Sequence, residues 1–130
     1  MISKAMLRNL LVLCAAVALF WAGVAVGQNK YGTPTSIVHV VTIKWKPEVS
    51  DADKKKALDG VKGMAAAIPG IKNVWIRATK VQPADYNDAF VIEFEDKAAA
   101  ERYVDHPAHR VWEKHYLEIR GQSTSHQITN

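Results

Sequence analysis

The sequence predicts an α+β sandwich, on three observations. From Ile37 to Ile128 the strand and helix signals run in the order strand, helix, strand, strand, helix, strand. The opening strand is apolar on both faces, so it needs cover on both sides. The helices each carry a single apolar stripe, enough to cover one face of a sheet and leave the other bare.

The first strand is Ile37-Val38-His39-Val40-Val41-Thr42-Ile43-Lys44-Trp45-Lys46, rich in β-branched residues and ended by Pro47. Side chains alternate along a strand, so Ile37, His39, Val41, Ile43 and Trp45 share one face, and Val38, Val40 and Thr42 the other. Ser50, with Asp53 three residues on, opens a helix to about Ala67. Its buried stripe is Ala57, Leu58, Val61, Met64, Ala65 and Ile68, at three- and four-residue spacing, with lysines opposite. Gly60 and Gly63 each cost up to about 1 kcal/mol relative to Ala, so packing against the sheet must hold this helix. Pro69-Gly70 ends it.

Two strands follow, Lys72 to Lys80 and Asp88 to Glu95, with Pro83 in the loop between them. In the second, Phe90, Ile92 and Phe94 share a face with Asp88, and Ala89, Val91 and Glu93 take the other. Asp96 caps a helix through Ala98-Ala99-Ala100 to Tyr103, and Pro107 starts another that carries Val111, Trp112 and Tyr116. Gly121 to Ile128, polar and Ser/Thr-rich, reads as a closing strand. This order is that of a ferredoxin-like βαββαβ sandwich. The uncovered sheet face, lined by Val38, Val40 and Val91, predicts a homodimer.

The first 27 residues are of a different kind. Lys4 and Arg8 precede an uncharged apolar run from Leu10 to Val26, and small residues follow up to Gln28. That is the order of a secretory signal peptide, residues 1–27, cleaved after Ala25-Val26-Gly27. The run is at the short end of what spans a bilayer, so an uncleaved single-pass anchor is the alternative. Residues 28–35 read as a tether and 36–129 as one small domain. The expected location is therefore extracytoplasmic, periplasmic or secreted. Cys14 is the only cysteine, and with the leader removed no thiol remains for a disulfide, a nucleophile or a metal site. Without Lys4 and Arg8 the balance is 15 basic to 13 acidic residues. The charges are interspersed, and Lys54-Lys55-Lys56 reads as a solvated helix face, so no nucleic-acid partner is expected.

The densest chemistry lies in Tyr103-Val104-Asp105-His106-Pro107-Ala108-His109. Pro107 fits the first position of a helix, with His106 at the cap and His109 about one turn inside. Tyr103 then ends the preceding helix, so Tyr103 and His109 flank a sharp corner. A bare helix-stop, helix-start signal with solvated histidines is the other reading. His106 and His109 also resemble half of a metal-ligand pair that His39 and Asp88 would complete, but Pro107 constrains the capping ring and no acidic cluster supports the site. His115 and His126 have no partner at a telling spacing.

On four stretches the chain resembles the stress-responsive dimeric α/β-barrel domain family. They are the opening strand, the Ile68-Pro69-Gly70 turn, the Tyr86…Phe90-Val91-Ile92-Glu93-Phe94 strand and the Tyr103 to His109 motif, within roughly residues 36 to 128. The resemblance implies two ferredoxin-like subunits pressing their sheets together into one barrel. Many members have no assigned activity, and one plant member is a polyketide cyclase using histidine and tyrosine in a pocket between sheet and helices. Residue by residue, that resemblance places His39, Tyr103 and His109 at catalytic positions. A third histidine of that enzyme falls at Asp88, a weaker candidate for taking a proton, and a pocket tyrosine falls near Val61.

Such a trio suits general acid/base chemistry without a cofactor: imidazole as base, phenol as donor to a developing oxyanion. Two function classes follow. One is a cofactor-free lyase or cyclase acting on a small apolar or aromatic molecule. The other is a non-catalytic barrel that binds such a ligand or serves as a stress-response scaffold. A haem-binding, monooxygenase-like barrel is a further alternative.

Overall fold

A computed structural model of the chain describes residues 3–27 and 34–130. The chain forms two compact units. In the first, α1 (Lys4–Gly27) is one continuous helix. Its stretch Lys4–Gly23 is long and apolar enough to cross a membrane, with mean hydropathy 1.9. Cys14 lies exposed on it. The predicted tether falls largely on residues 28–33, which lie outside the described residues, as does Gln28 at the expected cleavage point.

The second unit is the ferredoxin-like sandwich. Its elements are β1 (Ile37–Trp45), α2 (Asp51–Ala67), β2 (Ile71–Trp75), β3 (Asp88–Phe94), α3 (Lys97–Asp105), α4 (Pro107–Ile119) and β4 (Arg120–Ile128). The four strands form one antiparallel sheet in the order β2-β3-β1-β4. α2 begins where Ser50 accepts a hydrogen bond from the Asp53 amide, the cap read from the sequence. α3 begins likewise at Asp96, which accepts from the Ala99 amide at 2.8 Å.

β2 is shorter than the strand expected from Lys72 to Lys80. Its ladder against β3 ends at Trp75↔Val91, and Ile76 leaves it to pack against the core. The β-branched and basic residues beyond therefore belong to a loop. The polar C-terminal strand does form. It pairs with β1 from Val38↔Ile128 to Trp45↔Arg120, with a register shift at Lys44/Trp45.

The helices cover one sheet face. Ile37, Val41, Ile43 and Trp45 of β1 and Phe90, Ile92 and Phe94 of β3 are buried there, as the alternation predicts, against Ala57, Val61 and Met64 of α2 and Ala99 and Tyr103 of α3. Phe90, Phe94, Ile43, Ile92 and Val61 are almost wholly excluded from water, each worth about 1.5–3 kcal/mol of burial. On the opposite face Val38, Val40 and Val91 are only half-buried. Trp75 is 51% exposed and Ile128 56%.

Two glycines are required by close approach. Gly70 has φ +90, and a Cβ there would lie 2.6 Å from the Ala99 side chain. Gly60 lets the Trp112 indole cross α2, where its Nε1 donates to the Ala57 carbonyl at 2.8 Å. A Cβ at Gly60 would meet Trp112 Cδ1 at 2.8 Å, whereas one at Gly63 meets nothing within 4 Å. The indole has little room to yield, being stacked on Tyr116 at 4.7 Å and edge-on to Phe90 at 5.6 Å. Gly63→Ala should therefore raise stability by up to about 1 kcal/mol through helix propensity. Gly60→Ala should lower it despite the same propensity gain. Thermal melts of the two variants check this, and equal shifts would refute the packing account.

Candidate active site

The corner between α3 and α4 is built by two residues. Pro107 takes the first helical position of α4. His106 serves both helices: its amide donates to the Tyr103 carbonyl at the end of α3, and its Nδ1 accepts from the Ala108 amide at 3.1 Å. With one ring nitrogen committed to capping, His106 is a structural residue of the turn.

His109, one turn into α4, is buried. Its Nδ1 lies 3.0 Å from the Val104 carbonyl, one of the last carbonyls of α3. A carbonyl can only accept, so Nδ1 carries the proton and Nε2 of the neutral ring keeps a free lone pair. The helix C-terminus thereby orients His109 and fixes its tautomer.

Tyr103 packs against this ring with centroids 4.2 Å apart, and against His39 at 6.2 Å and Phe94 at 5.1 Å. The sequence-predicted trio is thus brought together around one cavity of about 220 Å³ between sheet and helices. Burial pushes the Tyr103 phenol well above its ordinary range, reinforced by Glu113 and Tyr116, so the hydroxyl stays protonated and can donate. Burial also lowers the pKa of His39, with the neighbouring His109 adding to the effect. The His39 ring is therefore neutral at pH 7, and its buried Nδ1 has no hydrogen-bond partner among the described residues.

Asp88 stands apart from the trio. It pairs with Ile43 rather than with the His39 end of β1, and its Oδ2 accepts from the Trp45 indole at 2.6 Å. It does not line the cavity. Val61, near the pocket tyrosine of the plant cyclase, is a fully buried core residue.

Several lining residues were not anticipated from the sequence: Glu113, Tyr116 and Arg120, and the β4 side chains Ser123, Ser125 and Gln127. Glu113 and Tyr116 follow His109 by four and seven positions, so the helical repeat of the face that carries His109 could have found them. Burial raises the Tyr116 phenol pKa, and Ser123 and Arg120, the latter with its guanidinium carbon 5.6 Å from the ring centre, oppose the shift. Ser123, Ser125 and Gln127 occur every second residue, facing the same way as Ile43, Val41 and His39, with which they pair. Ser125 and Gln127 are exposed, so the mouth of the cavity lies along this edge strand.

A larger concavity of about 590 Å³ lies between α2 and α4, lined by Gly60, Gly63, Met64, Val111 and Trp112 among others. It contains none of His39, Tyr103 or His109. Among the described residues no three His, Cys, Asp or Glu side chains cluster closely enough to hold a metal ion. The haem alternative does not fit the trio's cavity: about 220 Å³ is below the roughly 300–1,000 Å³ that drug-sized ligands occupy, and haem is larger still.

No curated protein sequence matches this chain. Solved structures do. A Dabb family protein with a ferredoxin-like fold from Mesorhizobium loti is 26% identical, with TM-score 0.63, over 73% of this chain and 96% of that one. A dimeric ferredoxin-like protein of unknown function from Thermobifida fusca is 21% identical, with TM-score 0.65, over 79% and 98%. Hydroxynitrile lyase from Passiflora edulis is 14% identical, with TM-score 0.67, over 75% and 94%. The model of the stress responsive A/B barrel domain, Dabb, matches residues 37–129, most of the chain and the whole of its sheet. With the fold and this match in agreement, the chain belongs to the stress responsive A/B barrel domain family.

Proposed function

We propose that this protein is an extracytoplasmic homodimeric barrel whose pocket performs cofactor-free acid/base chemistry, of lyase or cyclase type, on a small organic molecule. The observation that carries this reading is the hydrogen bond from His109 Nδ1 to the Val104 carbonyl. It leaves Nε2 as a proton acceptor beside a phenol that stays protonated. In the proposed step Nε2 takes a proton from an acidic C–H or O–H of the substrate, and the electron pair stays on the substrate. Tyr103 donates a hydrogen bond to the oxygen on which negative charge develops. The proton returns from His109 when the product forms. His39, neutral and with a free Nδ1, holds the substrate or relays the proton. That a lyase has the same fold supports the suitability of the scaffold, while the site residues carry the reading itself.

Dimerisation through the open sheet face is supported by its apolar character and by dimeric neighbours of the same fold. Val38, Val40, Val91, Trp75 and Ile128 would form its centre. Export is supported by the charge order and apolar run of the leader.

Three outcomes are expected. Intact-mass measurement of the native protein should show a chain starting near Gln28, and a membrane-bound chain with its leader would instead make α1 an anchor. Val40→Asp should yield a monomer or an insoluble protein by light scattering, because it places a charge at the centre of the interface, and a well-behaved dimer would put the interface elsewhere. Among small aromatic hydroxynitriles and β-keto compounds, an accepted substrate should be turned over about 10²–10⁴ times more slowly by His109→Ala, with the melting temperature within a few degrees. An unchanged rate would remove His109 as the base, and an unfolded variant would make it a purely structural residue.

A further inference from the structure

Among the described residues, Arg120 is the one lysine or arginine lining the His39–Tyr103–His109 cavity. It is half-buried at the junction of α4 and β4. Nη1 donates to the Ser123 hydroxyl, and the group lies over the Tyr116 ring. It forms no ion pair among the described residues. Glu113, the one carboxylate among the described residues that lines the same cavity, is held instead by Arg110, Nη1 to Oε2 at 3.2 Å. A partly desolvated guanidinium is normally paired, and its fork of donors matches a carboxylate in a bidentate grip. Here one donor is used by Ser123 and the group also sits beside Tyr116, but no carboxylate among the described residues takes up the fork. The buried Tyr116 hydroxyl, which makes no hydrogen bond of standard geometry, adds a further donor at this end.

The register sets the distance to the chemistry. Ser123 pairs with Ile43 and Gln127 with His39, so the Arg120–Ser123 end and the imidazole end are four residues apart along β1, roughly 13 Å of strand. The cavity of about 220 Å³ equals roughly seven waters at about 30 Å³ each, room for a slender molecule. Val41 and Phe90 line it between the two ends, while Ser125 and Gln127 line its mouth.

We propose that the substrate is an elongated small-molecule carboxylate, its anionic group held by Arg120, Ser123 and Tyr116 and its reacting end placed at His109 and Tyr103. This rests on the acid/base reading for what happens at the far end, but the anion subsite stands on its own residues. It also assigns Arg120 a binding role that the sequence did not suggest.

The test compares 3-phenylpropanoate with its neutral amide, 3-phenylpropanamide, by calorimetric titration of the full protein, with the His39 and His109 ring resonances reporting that the ligand enters this cavity. The acid should bind about tenfold or more tighter than the amide. That gap should shrink to within about twofold in Arg120→Gln and be partly retained in Arg120→Lys, which keeps the charge without the fork. Equal binding of acid and amide, binding of neither, or a gap that survives Arg120→Gln overturns the proposal. Because the acid–amide comparison is made on the unaltered protein, misfolding of a variant cannot obscure it. Failure of the acid/base reading is seen separately: His109→Ala would leave turnover intact while the acid still bound through Arg120. Conversely, turnover of neutral substrates with no preference for the acid would retain the chemistry and remove the anion subsite.

Discussion

The hydrogen bond between the His109 ring and the Val104 carbonyl holds the corner on which the site depends. The last carbonyls of a helix have no partner within it, and α3 ends where Pro107 prevents the chain from continuing. His106 satisfies the Tyr103 carbonyl and His109 the Val104 carbonyl. In meeting the needs of a helix terminus, α4 is docked so that His109 and Tyr103 lie 4.2 Å apart. The same contact settles which nitrogen of His109 is basic. Capping and the choice of tautomer are one interaction here.

The sheet supplies the second constraint. β1 is central and flanked on both sides, so each of its faces meets a different environment. On the helix-covered face His39 interrupts a run of buried apolar residues. Burial disfavours its charged form, which gives the pocket a neutral imidazole at the pH where a base is useful. The opposite face keeps Val38, Val40 and Val91 half in water, a cost that a single sandwich of this size has no second helical layer to relieve.

How much of this could be read from the sequence depended on local contrast. β1 and β3 were legible because apolar and polar positions alternate against a definite core, and the corner because proline punctuates a chain sharply. Both signals are local, and His39, Tyr103 and His109 sit on them. β4 offers no such contrast: Ser123, Thr124, Ser125 and His126 are polar on both faces, so only pairing with β1 reveals which side chains enter the pocket. Arg120 was hidden at a helix–strand junction, where neither periodicity applies. The length of β2 was overread because β-branched residues continue past the point where Ile76 turns into the core. The strand's end is set by that tertiary contact rather than by propensity.

The position of Asp88 narrows the chemistry further. It occupies the place where a cyclase-like site would hold a third histidine, and a free carboxylate there would have been a second base. One of its oxygens instead accepts the Trp45 indole proton at 2.6 Å, at the end of β1 away from His39. Moving the carboxylate toward the cavity would leave the indole N–H unpaired in a half-buried setting. The proton acceptors near Tyr103 are then the two imidazoles, His39 and His109, and the Glu113 carboxylate, which Arg110 holds. Since the buried Nδ1 of His39 has no partner among the described residues and His109 is oriented by a helix terminus, the two rings are not equivalent. The ring whose Nδ1 is already committed, His109, presents a single defined lone pair to the cavity, whereas the Nδ1 of His39 has no partner among the described residues.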